Sequence, residues 1–105
     1  MSQQTANPHR GEATLTIGGA PYVLRPSFGA LVAAEEELGP LLALVERASG
    51  GDLKLSEIAG LFWHCLADRR DLTREQLGEA VIRQGLAASA KPLRAVLAQI
   101  LQGTG

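Results

Sequence analysis

This 105-residue chain has one cysteine, few aromatic residues, no excess of either charge and no long apolar run. The lone cysteine, Cys65, cannot close an internal disulfide, which implies either a reducing compartment or indifference to oxidation, with the cytoplasm as the expected setting. Ten basic residues against eleven acidic ones leave a formal charge of -1, without the electrostatic footprint that nucleic acid or an anionic membrane selects. No stretch approaches the length of a membrane span, and the polar start MSQQTANPHRGE does not resemble a secretory signal. The soft metal ligands are limited to His9, His64 and Cys65, at spacings that suggest no closed site. The glycine pairs 18-19 and 50-51 lack the strand-loop-helix pattern and the lysine of a phosphate cradle. His64 and Cys65 are adjacent, and neighbours on a helix point about 100° apart, so they cannot act together as base and nucleophile. No metal, cofactor or catalytic constellation is therefore expected, and an enzyme is not.

A chain of this length can bury roughly two-thirds of its unfolded surface, enough for one core. Residues 1-11 are small and polar with nothing to bury, and read as a flexible N-terminal arm. Residues 12-105 read as a single domain, with a hairpin over 12-25 and a helical bundle over 27-102. In LTIGGAPYVL, a two-residue turn at Gly18-Gly19 pairs Ile17 with Ala20 and Leu15 with Tyr22. Ala13, Leu15, Ile17, Ala20, Tyr22 and Leu24 then share one face, Thr14, Thr16 and Val23 the other, and Glu12 lies opposite Arg25. Pro21 has no amide donor, which puts at least part of the second strand at an edge. A lone ribbon is marginal in water, so it must pack on helices or pair with another chain.

Ser27 can cap a helix over 28-38 that ends at Gly39-Pro40, with Phe28, Leu31, Val32 and Leu38 as its apolar contacts. Glu35, Glu36 and Glu37 read as a solvated face, the alternative being a site for a basic partner. A short helix over 41-48 stops at Gly50-Gly51. Ser56 then opens a central helix whose Ile58, Leu61, Phe62, Cys65 and Leu66 recur at core spacing. Trp63 and His64 flank that face, Trp63 being either a bundle-edge residue or an exposed anchor for a partner. Thr73 and Gln76 form a capping box that starts a helix burying Leu77, Ala80 and Val81 before Gly85. The last segment places Leu93, Val96, Leu97, Ile100 and Leu101 on one stripe, with Pro92 in its first turn. The expected fold is α+β, mainly α: an N-terminal β-hairpin packed on a bundle of four to five short helices.

The passage HRGEATLTIGGAPYVLRPSFGALVAAEEELG resembles the start of the small phage-tail proteins of gene transfer agents and related prophages. The matching positions are Arg10, Gly11, Glu12, Arg25, Ser27, Phe28, Gly29, Ala30, Leu31, Glu35, Leu38 and Gly39. The likeness covers residues 9 to about 102, with its specific part in 9-39. It implies a role in long-tail morphogenesis, as a tail assembly chaperone or a tail-tube-like protein. Tube subunits are built mainly of sheet, whereas this chain offers one hairpin and mostly helix, which favours a chaperone that coats the tape-measure protein and recruits tube subunits. A minor structural tail protein is the alternative. The hairpin edge could also support a homo-oligomer, its other reading being plain packing within one monomer. Exposure and family position nominate Tyr22, Phe28, Leu31, Glu35 and Trp63 as partner-binding residues. The resemblance places the protein in the cytoplasm or in a tail particle, and some tail chaperones carry a frameshifted extension that LQGTG does not display.

A reading from a different class treats residues 56-85 as a helix-turn-helix whose Arg69, Arg70, Arg74 and Arg83 face phosphates. Asp68, Asp71, Glu75 and Glu79 neutralise that surface on paper, so no nucleic-acid partner is expected, and a small helix-turn-helix DNA-binding protein stands as the alternative to the tail role.

Overall fold

The structure, a computed structural model, describes residues 11–103, so the expected arm over 1-11 lies outside the described residues except for Gly11. Strands β1 (Ala13–Ile17) and β2 (Ala20–Leu24) form an antiparallel hairpin in the predicted register, with Ile17 opposite Ala20 and Leu15 opposite Tyr22. Gly18 and Gly19 take φ of 59° and 82°, the paired left-handed conformations of a type I′ hairpin turn, which side chains resist. Five helices follow: α1 (Phe28–Leu38), α2 (Leu41–Ser49), α3 (Leu55–Cys65), α4 (Arg74–Gln84) and α5 (Leu86–Gln102). The architecture is thus α+β and mainly α.

The ladder hydrogen bonds of β2 fall on Ala20, Tyr22 and Leu24, because the odd-numbered residues direct their backbone groups the other way. Val23 C=O accepts from Ala67 N–H at 2.9 Å, and Arg25 N–H donates to Cys65 C=O at 2.6 Å. Pro21 C=O accepts from the Arg70 guanidinium at 2.8 Å. The missing amide of Pro21 therefore costs the hairpin nothing, since it would have pointed away from β1. The outer edge of β2 is consequently overlaid by residues 65-70, with a bridge between Leu24 and Leu66. That overlay explains one departure from the sequence reading. Val23, assigned to the solvent face, is buried along with Leu15, Ile17 and Leu24 because residues 65-67 run beside it.

The helices begin and end for local reasons. Ser27 Oγ accepts from Ala30 N–H at 3.2 Å, Gly39 at φ 88° stops α1, and the carboxylate of Glu35 accepts Leu41 N–H at 3.1 Å to open α2. Helix α3 starts one residue earlier than Ser56, since Glu57 Oε1 accepts Lys54 N–H at 2.9 Å and caps the turn from inside. The Thr73/Gln76 capping box forms as predicted, Gln76 N–H donating to Thr73 Oγ1 at 3.1 Å and Thr73 N–H to Gln76 Oε1 at 2.8 Å.

Gly85, at φ 87°, is the single residue between α4 and α5. Helix α5 therefore begins at Leu86, in an alanine-rich stretch that propagates helix well, and Pro92 lies in its interior and not in its first turn. Pro92 has no N–H to give the carbonyl of Ala88, a cost met by its burial among helices.

Phe62, Leu24, Leu44, Leu61, Leu77, Val96 and Cys65 are completely buried and tie the hairpin to all the helices except α1, which contributes Ala34. The expected contacts Phe28 and Val32 point away from the core, because α1 turns its alanine side, with Leu31 and Leu38, toward α3. Leu101 likewise leaves its predicted stripe for solvent.

Gly60 of α3 leaves room for side chains that reach over it from α1 and α4. A Cβ there would lie 2.8 Å from Arg74 Nη2 and 3.1 Å from Leu38 Cδ2. Gly60→Leu is expected to lower stability by ~1–3 kcal/mol through overpacking, read as an earlier urea midpoint at unchanged slope. An unaltered midpoint would refute the close packing at this position.

Candidate interaction surfaces

The five sequence-nominated residues occupy different environments. Phe28, at the first position of α1, is 86% exposed. Tyr22 and Leu31 are half-buried against the core. Trp63 is also half-buried, which makes it an edge residue of the bundle and not a freely exposed anchor. Glu35 is exposed at its helix but spends a carboxylate oxygen on the start of α2. The structure does not gather all five into one patch.

It does bring two of them under a common loop. The guanidinium of Arg69 lies 4.2 Å from the Trp63 ring centroid and that of Arg70 lies 4.1 Å from the Tyr22 centroid. Arg69 also donates to Trp63 C=O at 3.2 Å. Arg70 sits at φ 53°, a left-handed conformation that aims its side chain back across β2. Both arginines, which the helix-turn-helix reading sent toward phosphates, are committed to acceptors and rings of the protein itself. No local pattern points to this, because the loop and the hairpin are far apart in the chain.

Between α1 and the end of α3 runs an open trough of about 370 Å³, floored by Gly29, Ala30, Ala33 and Ala67 and bordered by Arg25 and Arg69. A second, more apolar groove of about 430 Å³ separates α2 from α5 along Val45, Leu97 and Leu101. Leu42, Ile82, Leu86 and Leu101 are more than half exposed. The molecule therefore presents several small apolar surfaces, and among the described residues no group of three or more His, Cys, Asp or Glu side chains is arranged to hold a metal ion.

The acidic run is divided rather than solvated as a unit. Glu37 joins three helices: its carboxylate receives both terminal nitrogens of Arg74 from α4, with Nη1 at 2.6 Å from Oε1, and His64 Nε2 of α3 lies 2.8 Å from Oε1. Of the three glutamates, Glu36 is the one whose side chain makes no hydrogen bond to a described residue. On the opposite side, Arg47 of α2 grips Glu57 of α3 through two bonds of 2.8 and 2.6 Å. The Arg25–Glu12 pair at 2.6 Å closes the base of the hairpin as the register predicted, with Glu12 buried.

Hydrogen bonds from Arg74 first, then from His64, hold the Glu37 carboxyl down at about 2, against an ordinary value of 4.5. A carboxyl depressed on folding stabilises the native state above its ordinary value, and that contribution is lost as pH falls toward the folded value. Glu37 is over a third exposed, so solvent screening limits the contribution to under ~1 kcal/mol. Glu37→Gln is accordingly expected to reduce stability slightly at pH 7 and to flatten the stability profile between about pH 4.5 and 2. Urea titrations at a series of pH values test this, and a mutant profile parallel to the native one would refute it. Burial alone pushes the Cys65 thiol up to about 12, which keeps it protonated and unreactive.

Among the described residues no helix is long and apolar enough to cross a membrane. No curated protein and no solved structure matches the chain. The model of the family described as phage tail tube protein, GTA-gp10, matches residues 10–103. With nearly its whole length inside that match, the chain belongs to this gene transfer agent and phage tail family.

Proposed function

We propose that the protein is a tail assembly chaperone that holds the tape-measure protein and tube subunits during tail growth and carries out no chemical step of its own. The observation that carries this reading is the balance of the fold. Tube subunits, as the family resemblance implies, are built mainly of sheet that joins neighbours into a ring, whereas the described residues form a two-stranded hairpin on five helices. Exposed Phe28, the alanine-floored trough beside it and the apolar α2/α5 groove are surfaces on which amphipathic helices can lay their apolar faces. A tape-measure protein, long and helical, offers such faces repeatedly. In this reading the protein works in the cytoplasm.

Co-expression with the tape-measure protein is expected to yield a soluble complex that co-purifies. Recovery of the two proteins separately at every ratio would overturn the proposal. The family's description as a tube protein favours a second reading, a minor structural component of the tail. Purified particles separate the two, since a chaperone is absent from finished tails and a structural subunit is present in them.

A further inference from the structure

We infer that the outer edge of β1 pairs with the same strand of a second copy of this chain, joining two hairpins across a two-fold axis. The inference comes from hydrogen-bond bookkeeping in the hairpin and does not depend on the tail role. Ladder bonds join β1 to β2 through Ala13, Leu15 and Ile17, which leaves the backbone groups of Thr14 and Thr16 directed outward. Among the described residues nothing accepts from or donates to them. The other edge is already consumed by Ala67, Cys65 and Arg70. Proteins commonly guard open edges with proline, lysine or an overlying loop. Here β2 carries the proline and the overlay, whereas β1, reading ATLTI, has neither proline nor lysine, and α4 and α5 pack against it where Leu15 and Ile17 are buried, leaving Thr14 and Thr16 exposed.

One open edge per subunit determines the symmetry. A contact from β1 of one copy to β2 of the next would propagate into rings or filaments, but the overlay on β2 blocks it. The remaining contact is β1 to β1, which is isologous and closes at two copies. In the antiparallel register centred on Leu15, Thr14 lies opposite Thr16 of the second copy, and both pairs are of the type that exchanges two backbone bonds. Threonine pairs suit this position, and no charged residue of β1 meets a like charge there. The joined sheet has four strands in place of two, which relieves the marginal stability of a lone ribbon. The paired strand is only five residues long, so the interface is smaller than the standard size and the dimer is expected to depend on concentration.

Sedimentation of the full chain over a concentration series tests the inference, with two charge variants fixing the register. Thr14 and Thr16 are exposed, so both variants are expected to fold. In T14K/T16K, lysines face lysines across the axis and dimerisation weakens by roughly tenfold or more. In T14K/T16E, lysine faces glutamate and the dimer survives. A native protein that stays monomeric at its highest soluble concentration would overturn the inference. So would a dimer equally unaffected by both variants, which would place the interface elsewhere, or assembly into open-ended oligomers.

Discussion

Replacing Phe62 by alanine is expected to cost ~3–5 kcal/mol of folding stability, the largest loss available from one side-chain truncation in this molecule. Phe62 is completely buried on α3 and, with Ile58, Leu61 and Cys65 of the same helix, joins the cluster that holds the hairpin, α2, α4 and α5. Truncation removes the transfer energy of the ring and leaves a cavity that closely packed helices cannot collapse around. Domains of this size have a net stability of ~5–15 kcal/mol, and each kcal/mol shifts the melting temperature by about 4–8 °C. A variant near or below the folding threshold at 37 °C follows. Calorimetry or thermal circular dichroism reads the outcome, and a drop corresponding to less than ~1 kcal/mol would mean that α3 is not the centre of the core.

Phe28→Asp should have the opposite profile. Removing a side chain that is 86% exposed leaves stability within about 0.5 kcal/mol of the native protein. An aspartate in the first turn of α1 also interacts favourably with the helix dipole, so folding has no reason to suffer. Binding has every reason to. A large aromatic held in water beside a trough of small residues is the kind of anchor that carries interface energy, and losing such a hot spot costs ~2 kcal/mol or more, roughly a thirtyfold weaker complex. The measurement is co-purification and titration with the tape-measure protein, alongside a melting curve. Full binding by a folded F28D would exclude this end of α1 from the interface. Loss of binding with unaltered melting would assign it there.

Much of the fold was legible because it is written in local signals. The glycine pair at 18-19 determines the hairpin register, since both residues take the positive φ angles of a type I′ two-residue turn. Ser27, Gly39, Thr73 with Gln76, and Gly85 mark helix boundaries through bonds made within a few residues. The core of α3 and α4 followed from apolar spacing alone. The misses share a cause as well. Phe28 and Val32 looked like core residues because periodicity finds an apolar stripe but does not say whether a neighbouring helix covers it. Pro92 reads as a first-turn residue because nothing in the preceding alanines marks where a helix begins, yet α5 starts at Leu86.

The candidate surfaces were less legible than the fold. Tyr22 and Trp63 could be named from residue type, yet the arginines that stack on them come from a loop whose path no local pattern encodes. Glu37 was indistinguishable from Glu35 and Glu36 in the run, although one joins three helices, one caps the next helix and one stands free of described partners. Adjacent helix positions diverge by about 100°, so three identical residues meet three different surroundings.

By itself the sequence determined the elements, the hairpin register, most helix boundaries, most of the buried residues and the tail family, since each rests on contacts between residues near in the chain or on a pattern read along it. Tertiary structure alone decided that residues 65-70 seal one edge of the hairpin and leave the other open, that side chains of α1 and α4 close over Gly60, and that Phe28 faces water. Those outcomes depend on which distant segments arrive at the same place, and on how much room is left when they do.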